Sequence, residues 1–232
     1  MTKQDDLIAY LFDGQRSRLP APLREWMLAS PRFTAFVETY RDKIRKKIRV
    51  TRDAEGLLDL LGELQVACCL LDDRRLEVTY EPYASAKQRG ADFAVTYRKN
   101  LVFNVEVARL RESGHAPAGD RLLRVLLNKL GQMQAGMPNL LAVHVPPSLA
   151  GSIDIDHLML QVKQRADRKD PTLFAAGRYR GPADFYRDFI HLNAVLLWAD
   201  GAPLWINKQA RRSLDEKVLR LVHTLACGPV NL

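Results

Sequence analysis

Between Ala54 and Asp73 the apolar residues of AEGLLDLLGELQVACCLLDD are nearly continuous, which predicts a helix buried on more than one side. At Arg74 the period changes. RRLEVTYEPY (74–83) alternates Leu76, Val78 and Tyr80 with Glu77, Thr79 and Glu81, the two-residue period of a strand. GADFAVTYR (90–98) and LVFNVEVARL (101–110) predict two further strands, joined as a hairpin by the tight turn Arg98-Lys99-Asn100. After a loop over 111–119, DRLLRVLLNKLGQMQAGM (120–137) predicts a helix capped by Asp120 and ending near Gly136 and Pro138. NLLAVHVPP (139–147) predicts an apolar strand stopped by two prolines. A helix between two strands implies a parallel crossover lying on one face of a sheet.

The flanks are more helical. Residues 5–12 predict a short helix, and 20–49 predict two helices broken at Ser30-Pro31, where serine caps and proline fits the first turn. Beyond the central segment the pattern predicts a helix near 154–166 and a polar loop over 167–183 holding Arg178, Tyr179 and Arg180. DFYRDFIHLNAVLLW cannot be assigned to helix or strand by its pattern. A hairpin is expected about Asp200-Gly201, and a last helix from Ser213 with Glu216 completing a capping box. The expected architecture is one α/β domain over 1–232. Its mixed core spans about 54–147, with a helical extension over 1–53 and an α+β elaboration over 148–232.

Composition narrows the class. The chain has 232 residues, 47% hydrophobic and 27% charged, enough to bury a core without staples. No apolar run approaches the roughly 20 residues of a membrane span. The N-terminus MTKQDDLIAYLFDG lacks a signal-peptide layout, so a cytoplasmic protein is expected. Three cysteines without a C-x-x-C pair point to free thiols rather than a zinc site. The net charge of +8 is uneven: RDKIRKKIRVTR (41–52) carries seven basic residues and one acid. It is either a solvated helix face or a surface on which Arg45, Lys46, Lys47 and Arg49 grip phosphates in a salt-dependent way.

Three acids interrupt apolar surroundings. Glu63 has Leu60, Val66, Ala67 and Asp59 as its helical neighbours, Asp92 opens the strand after Gly90, and Glu106 lies between Val105 and Val107. Hairpin pairing would set Asp92 about opposite Val107, so Asp92 and Glu106 fall near one end, on a face that register decides. Taken singly, Glu63 is equally a helical acid paired with an arginine, and Asp92 a residue capping a strand entry. Buried together they would demand a cation or donors, and hard divalent cations take oxygen ligands of this kind. Other chemistry is thinner. His144 is expected to be a hydrogen-bonded core histidine, and His115, His157, His191 and His223 lack metal-ligand spacing. There is no G-x-S-x-G elbow and no phosphate-cradling glycine loop. Trp198 and Trp205 flank the Asp200-Gly201 turn, as cross-strand packing or as a base-stacking platform.

Glu63 in GELQVA, Asp92 in GADFAV and Glu106 in NVEVARL together resemble the motifs of the PD-(D/E)XK nuclease superfamily. The resemblance covers about 54–145 in the order helix, three strands, helix, strand. It implies a restriction-endonuclease-like core and hydrolysis of nucleic-acid phosphodiesters, DNA before RNA. Magnesium (or manganese) would be held by Glu63, Asp92, Glu106 and the carbonyl of Val107. The family's lysine would fall at Ala108, where this chain has no charge. Lys129 on the following helix, with Gln132 one turn on, or the adjacent Arg109 could supply it; Arg121 and Arg124 are weaker candidates. The competing reading is a nuclease-like protein without activity that binds nucleic acid or a protein partner. No membrane partner is expected, and a homodimer stays open.

Overall fold

The computed structural model describes residues 2–13, 20–83, 90–112, 116–177, 179–199 and 201–226. Four helices come first: α1 (Lys3–Phe12), α2 (Pro20–Ala29), α3 (Pro31–Thr39) and α4 (Arg41–Val50). The expected break at Ser30 is present, and the Ser30 side chain accepts the Phe33 amide at 3.2 Å. A second break at Tyr40 was not expected. Tyr40 leaves helical geometry at φ −105° and ψ 15°, and its ring meets the Tyr80 ring of the sheet at 5.8 Å, a long-range contact that the local pattern does not contain.

The central segment follows as α5 (Ala54–Asp72), β1 (Leu76–Tyr80), β2 (Phe93–Tyr97), β3 (Leu101–Arg109), α6 (Ala118–Leu130) and β4 (Asn139–His144). Then come α7 (Pro147–Ala150), α8 (Ile155–Asp167), α9 (Pro171–Ala176), α10 (Pro182–Phe189), β5 (Leu192–Trp198), β6 (Leu204–Ile206) and α11 (Glu216–Ala226). The six strands form one open mixed sheet in sequence order. The pairs β1–β2, β2–β3 and β5–β6 are antiparallel, while β3–β4 and β4–β5 are parallel. This is an α/β architecture, and α6 is the crossover expected between parallel strands.

Several boundaries differ from the pattern. Helix α6 starts at Ala118 after Pro117, not at Asp120, and ends at Gly131, well before Gly136. The residues after Gly131 instead form a loop tied to Asn139, whose Nδ2 donates to the Gln134 and Met137 carbonyls. The expected loop over 167–183 holds α9, capped by Asp170 with proline in its first turn. The unassigned stretch divides into α10 and β5. The last helix starts at Glu216, and Asp215 rather than Ser213 accepts its first free amide, from Lys217 at 2.7 Å. His115, Arg178, Asp200 and Cys227 lie outside the described residues. Trp198 and Trp205 pack into the cores on opposite faces of the sheet rather than against each other, and Trp205 sits across from Val195.

Each sheet face carries its own core. One joins the sheet to α1–α5 and α11; the other joins it to α6 and α8–α10. Four buried asparagines on or beside neighbouring strands lock one end. Asn104 Nδ2 donates to Asn139 Oδ1 at 3.2 Å, and the Asn139 amide donates to Asn193 Oδ1 at 2.7 Å. Asn207 Nδ2 donates to the Phe189 and Leu192 carbonyls at 3.0 and 2.8 Å. His144 is buried as expected, but neither ring nitrogen has a partner among the described residues. Burial and the charge of Arg109 push its pKa down to about 4, so the ring is neutral at physiological pH.

Asn139 is the centre of the asparagine network, and its removal strands several buried groups. Asn139→Ala is expected to cost about 3 kcal/mol in urea unfolding. A loss under about 1 kcal/mol would show that the network is expendable.

Candidate active site

The site forms where β2 and β3 begin to separate. Phe93 pairs with Val105 and both point into the core under α5. Alternation therefore turns Glu106 away from that core, while Asp92 stands just before β2, where its side chain is placed by its own hydrogen bond. The register sits one residue off the expected pairing of Asp92 with Val107. Asp92 nonetheless touches Val107: the Val107 amide donates to its Oδ2 at 2.8 Å, and its carbonyl accepts the Glu81 amide at 2.8 Å. Gly90 shapes the approach, since a Cβ there would stand 2.3 Å from the Tyr83 ring. The Tyr83 hydroxyl in turn donates to Asn104 Oδ1 at 3.1 Å.

Glu63 reaches the same place from α5. Its Oε2 accepts from the hydroxyl of the fully buried Tyr80 at 2.9 Å and from Lys47 Nζ at 2.7 Å. Glu106 is only 3% exposed, and its Oε1 accepts from Lys129 Nζ at 2.5 Å. Its other oxygen, Oε2, is buried without a partner among the described residues.

The three carboxylates feel one another. Burial pushes the Glu63 carboxyl up to about 7, and the charge of Asp92 adds to this against Lys47. Burial and then Asp92 push Glu106 up to about 7, against Lys129. Burial also raises Asp92, while Lys129, the Val107 amide and Lys47 oppose it. For both lysines burial works against the charged form. The surrounding carboxylates together outweigh it, led by Glu63 at Lys47 and by Glu106 at Lys129, so both ammonium groups are held above their ordinary range.

A cavity of about 380 Å³ opens beside this cluster, lined among others by Glu63, Ala108, Arg109, Arg111 and Lys129. Positive charge therefore does stand in the space beside Ala108. Lys129 supplies it on the face that Glu106 shares. Arg109 lines the cavity too, but its guanidinium is held by Glu55 and by Asp59 at 3.0 Å. Gln132 lines a neighbouring hollow instead.

The basic helix divides in an unexpected way. Lys47 enters the carboxylate cluster and also meets Glu81 Oε1 at 3.1 Å. Arg45 and Arg49 both bind Asp13, at 3.1 and 2.6 Å, and Arg45 lies over the Tyr10 ring. Lys46 is exposed. The signal for Lys47 was in the sequence: it stands three residues from the buried Ile44 and next to the buried Ile48, at the edge of the apolar stripe. Tyr80, Asp59 and Asn128 carried no such signal.

Among the described residues, no group of three or more His, Cys, Asp or Glu side chains is arranged to hold a metal ion. The donor chemistry nevertheless suits a hard divalent cation: clustered carboxylates, one with an orphaned buried oxygen. In this arrangement the lysine ammonium groups hold oxygens that such a cation would take.

The raised carboxyl of Glu106 makes a signed forecast. The folded chain holds this proton more tightly than the unfolded chain, so stability is lost as pH rises from about 4.5 to about 7. With a chelator present, Glu106→Gln is expected to be more stable than the parent at pH 8 by about 1 kcal/mol or more. The advantage should vanish below pH 4.5, the ordinary value of the group. A variant less stable at pH 8 would mean that the ion pair with Lys129 outweighs the burial cost. No family model, curated protein or solved structure matches the chain.

Proposed function

We propose that the chain is a restriction-endonuclease-like nuclease that hydrolyses phosphodiester bonds of nucleic acid, DNA before RNA, with a divalent cation. The observation that carries this reading is Lys129 Nζ at 2.5 Å from Glu106 Oε1, beside Ala108. A helix thus offers the charge that the strand lacks. Support also comes from the order α5, three antiparallel strands, α6 and a parallel strand, with one acid each from α5, the β2 entry and β3.

On this reading Glu63, Asp92 and Glu106, with the Val107 carbonyl, would hold magnesium (or manganese). Bound there, the cation supplies Lewis-acid charge and lowers the pKa of water. Asp92 is pre-oriented by the Val107 amide, and Glu63 by Tyr80. Lys129 stays protonated, so it stabilises charge developing on the phosphate rather than accepting a proton. Arg111, about half exposed at the cavity, would meet the incoming strand by exchanging its pairing with Asp59 at 2.8 Å and Glu55 at 3.7 Å for phosphate.

A second reading is a nucleic-acid-binding relative without chemistry. Ala108 favours it, as does the lack of a preformed metal group among the described residues. One experiment separates them. Purified protein with magnesium or manganese is expected to nick DNA. Glu106→Ala should abolish this, and Lys129→Ala should slow it about 100-fold or more, with partial recovery in Lys129→Arg. Salt-sensitive DNA binding with no cleavage of DNA or RNA would give the protein to the second reading.

A further inference from the structure

A second hollow, of about 480 Å³, lies beside the carboxylate cavity, and Asn128 lines both. On one side it is walled by α6 and its end, with Asn128, Gln132 and the bare backbone of Gly131. The opposite wall is Tyr179 with Asp184, Arg187 and Asp188 of α10. Gly177 forms part of the lining. A Cβ there would stand 2.4 Å from Tyr179 Cε2, so glycine alone lets the ring lie against the backbone. Phe185 then fixes that ring edge-on, with centroids 5.6 Å apart.

The polar groups of this hollow fit one ligand class. Arg187 is spent on Asp184 Oδ1 at 2.8 Å and Asp188 Oδ1 at 3.2 Å. The charge of Arg180 also acts on Asp184, so the selectivity of this wall rests on its hydrogen-bonding groups rather than on net charge. Asp188 Oδ2 lies only 3.8 Å from the point where a Gly131 side chain would begin, so an acceptor faces a place without side-chain bulk. Asn128 and Gln132 add groups that both donate and accept. Carboxylate acceptors, primary amides and a fixed aromatic ring suit a planar heterocycle bearing an amino group. The volume lies within the range of small-molecule pockets.

We propose that this hollow is a nucleobase pocket, taking the amino-bearing base of an unpaired nucleotide beside the strand in the carboxylate cavity. The strand's position rests on the nuclease reading; the affinity for the base does not. A base stacked inside a duplex cannot enter a lateral hollow, so single-stranded or everted nucleotides are the favoured substrate.

Free nucleosides test this without phosphate, so neither the basic helix nor the carboxylate cluster adds to binding. By saturation-transfer NMR and competition, deoxyadenosine, deoxycytidine or deoxyguanosine is expected to bind saturably, and thymidine, which has no amino group, more weakly. Asp188→Asn should weaken binding about ten-fold, the loss of a hydrogen bond to a charged group. Gly131→Leu, which fills the hollow from an exposed position, should abolish it, and Glu106→Gln should leave it intact. Absent nucleoside binding, thymidine bound as well as the others, or wild-type binding in both pocket variants would overturn the pocket, whether or not the protein cleaves DNA. Nucleoside binding by a protein that never cleaves would uphold the pocket and remove the nuclease reading.

Discussion

Three carboxylates are held together largely out of water, and much of the molecule answers to that cost. An uncompensated buried carboxylate costs several kcal/mol even after relaxation. Here Asp92 stands electrically between Glu63 and Glu106 and raises both. Compensation comes from two directions. Lys47 arrives from α4 and Lys129 from α6, helices that belong to the cores on opposite faces of the sheet. The N-terminal helices are therefore part of the site. Their position is set by aromatic packing: Phe36 meets Tyr80 at 6.0 Å, Tyr80 meets Phe93 at 5.5 Å, and Lys47 lies over the Tyr80 ring at 4.9 Å. Loosening that packing would release a cation from Glu63 without touching a carboxylate.

Ala108 acquires a physical account from the same geometry. It packs against the core that α6 builds, on the face where Glu106 looks toward Lys129. A small residue lets the helix lie close. A lysine at this position would carry a second ammonium into space that Lys129 already serves. Arg109 cannot exchange roles with Lys129. Strand alternation turns it toward α5, where Glu55 and Asp59 share its guanidinium.

The legible part of the chain was its period. The change from helical to two-residue spacing at Arg74 marked β1, and the hairpin from Phe93 to Arg109 followed from its turn and alternation. Failures came where long-range contacts outvoted local pattern. The helix breaks at Tyr40, whose ring meets Tyr80 of the sheet, and the loop after Gly131 is anchored by Asn139 rather than continuing α6. The three acids were visible as interruptions of apolar runs. Their shared environment was not, because a lysine sixteen residues before Glu63 and another twenty-three after Glu106 become neighbours only through the fold. His144 illustrates the reverse: its burial was legible, and its lack of any hydrogen-bond partner among the described residues was not.

Net charge proved a poor guide to where charge acts. Arg45 and Arg49 of the basic helix bind Asp13, and Lys47 serves Glu63, so much of the positive charge of that stretch is internally engaged. The ordering of charge at the cavity is more informative. Arg111 stands about half exposed, Lys129 is deeper, and Glu106 is buried beneath it. On the proposed reading this sequence from mouth to floor matches the ligand: phosphate charge is met by cations outside, and the metal by carboxylates inside. Binding of the strand would then depend on salt through a few mouth residues, while the chemistry would depend on the buried cluster, where screening by salt is weak.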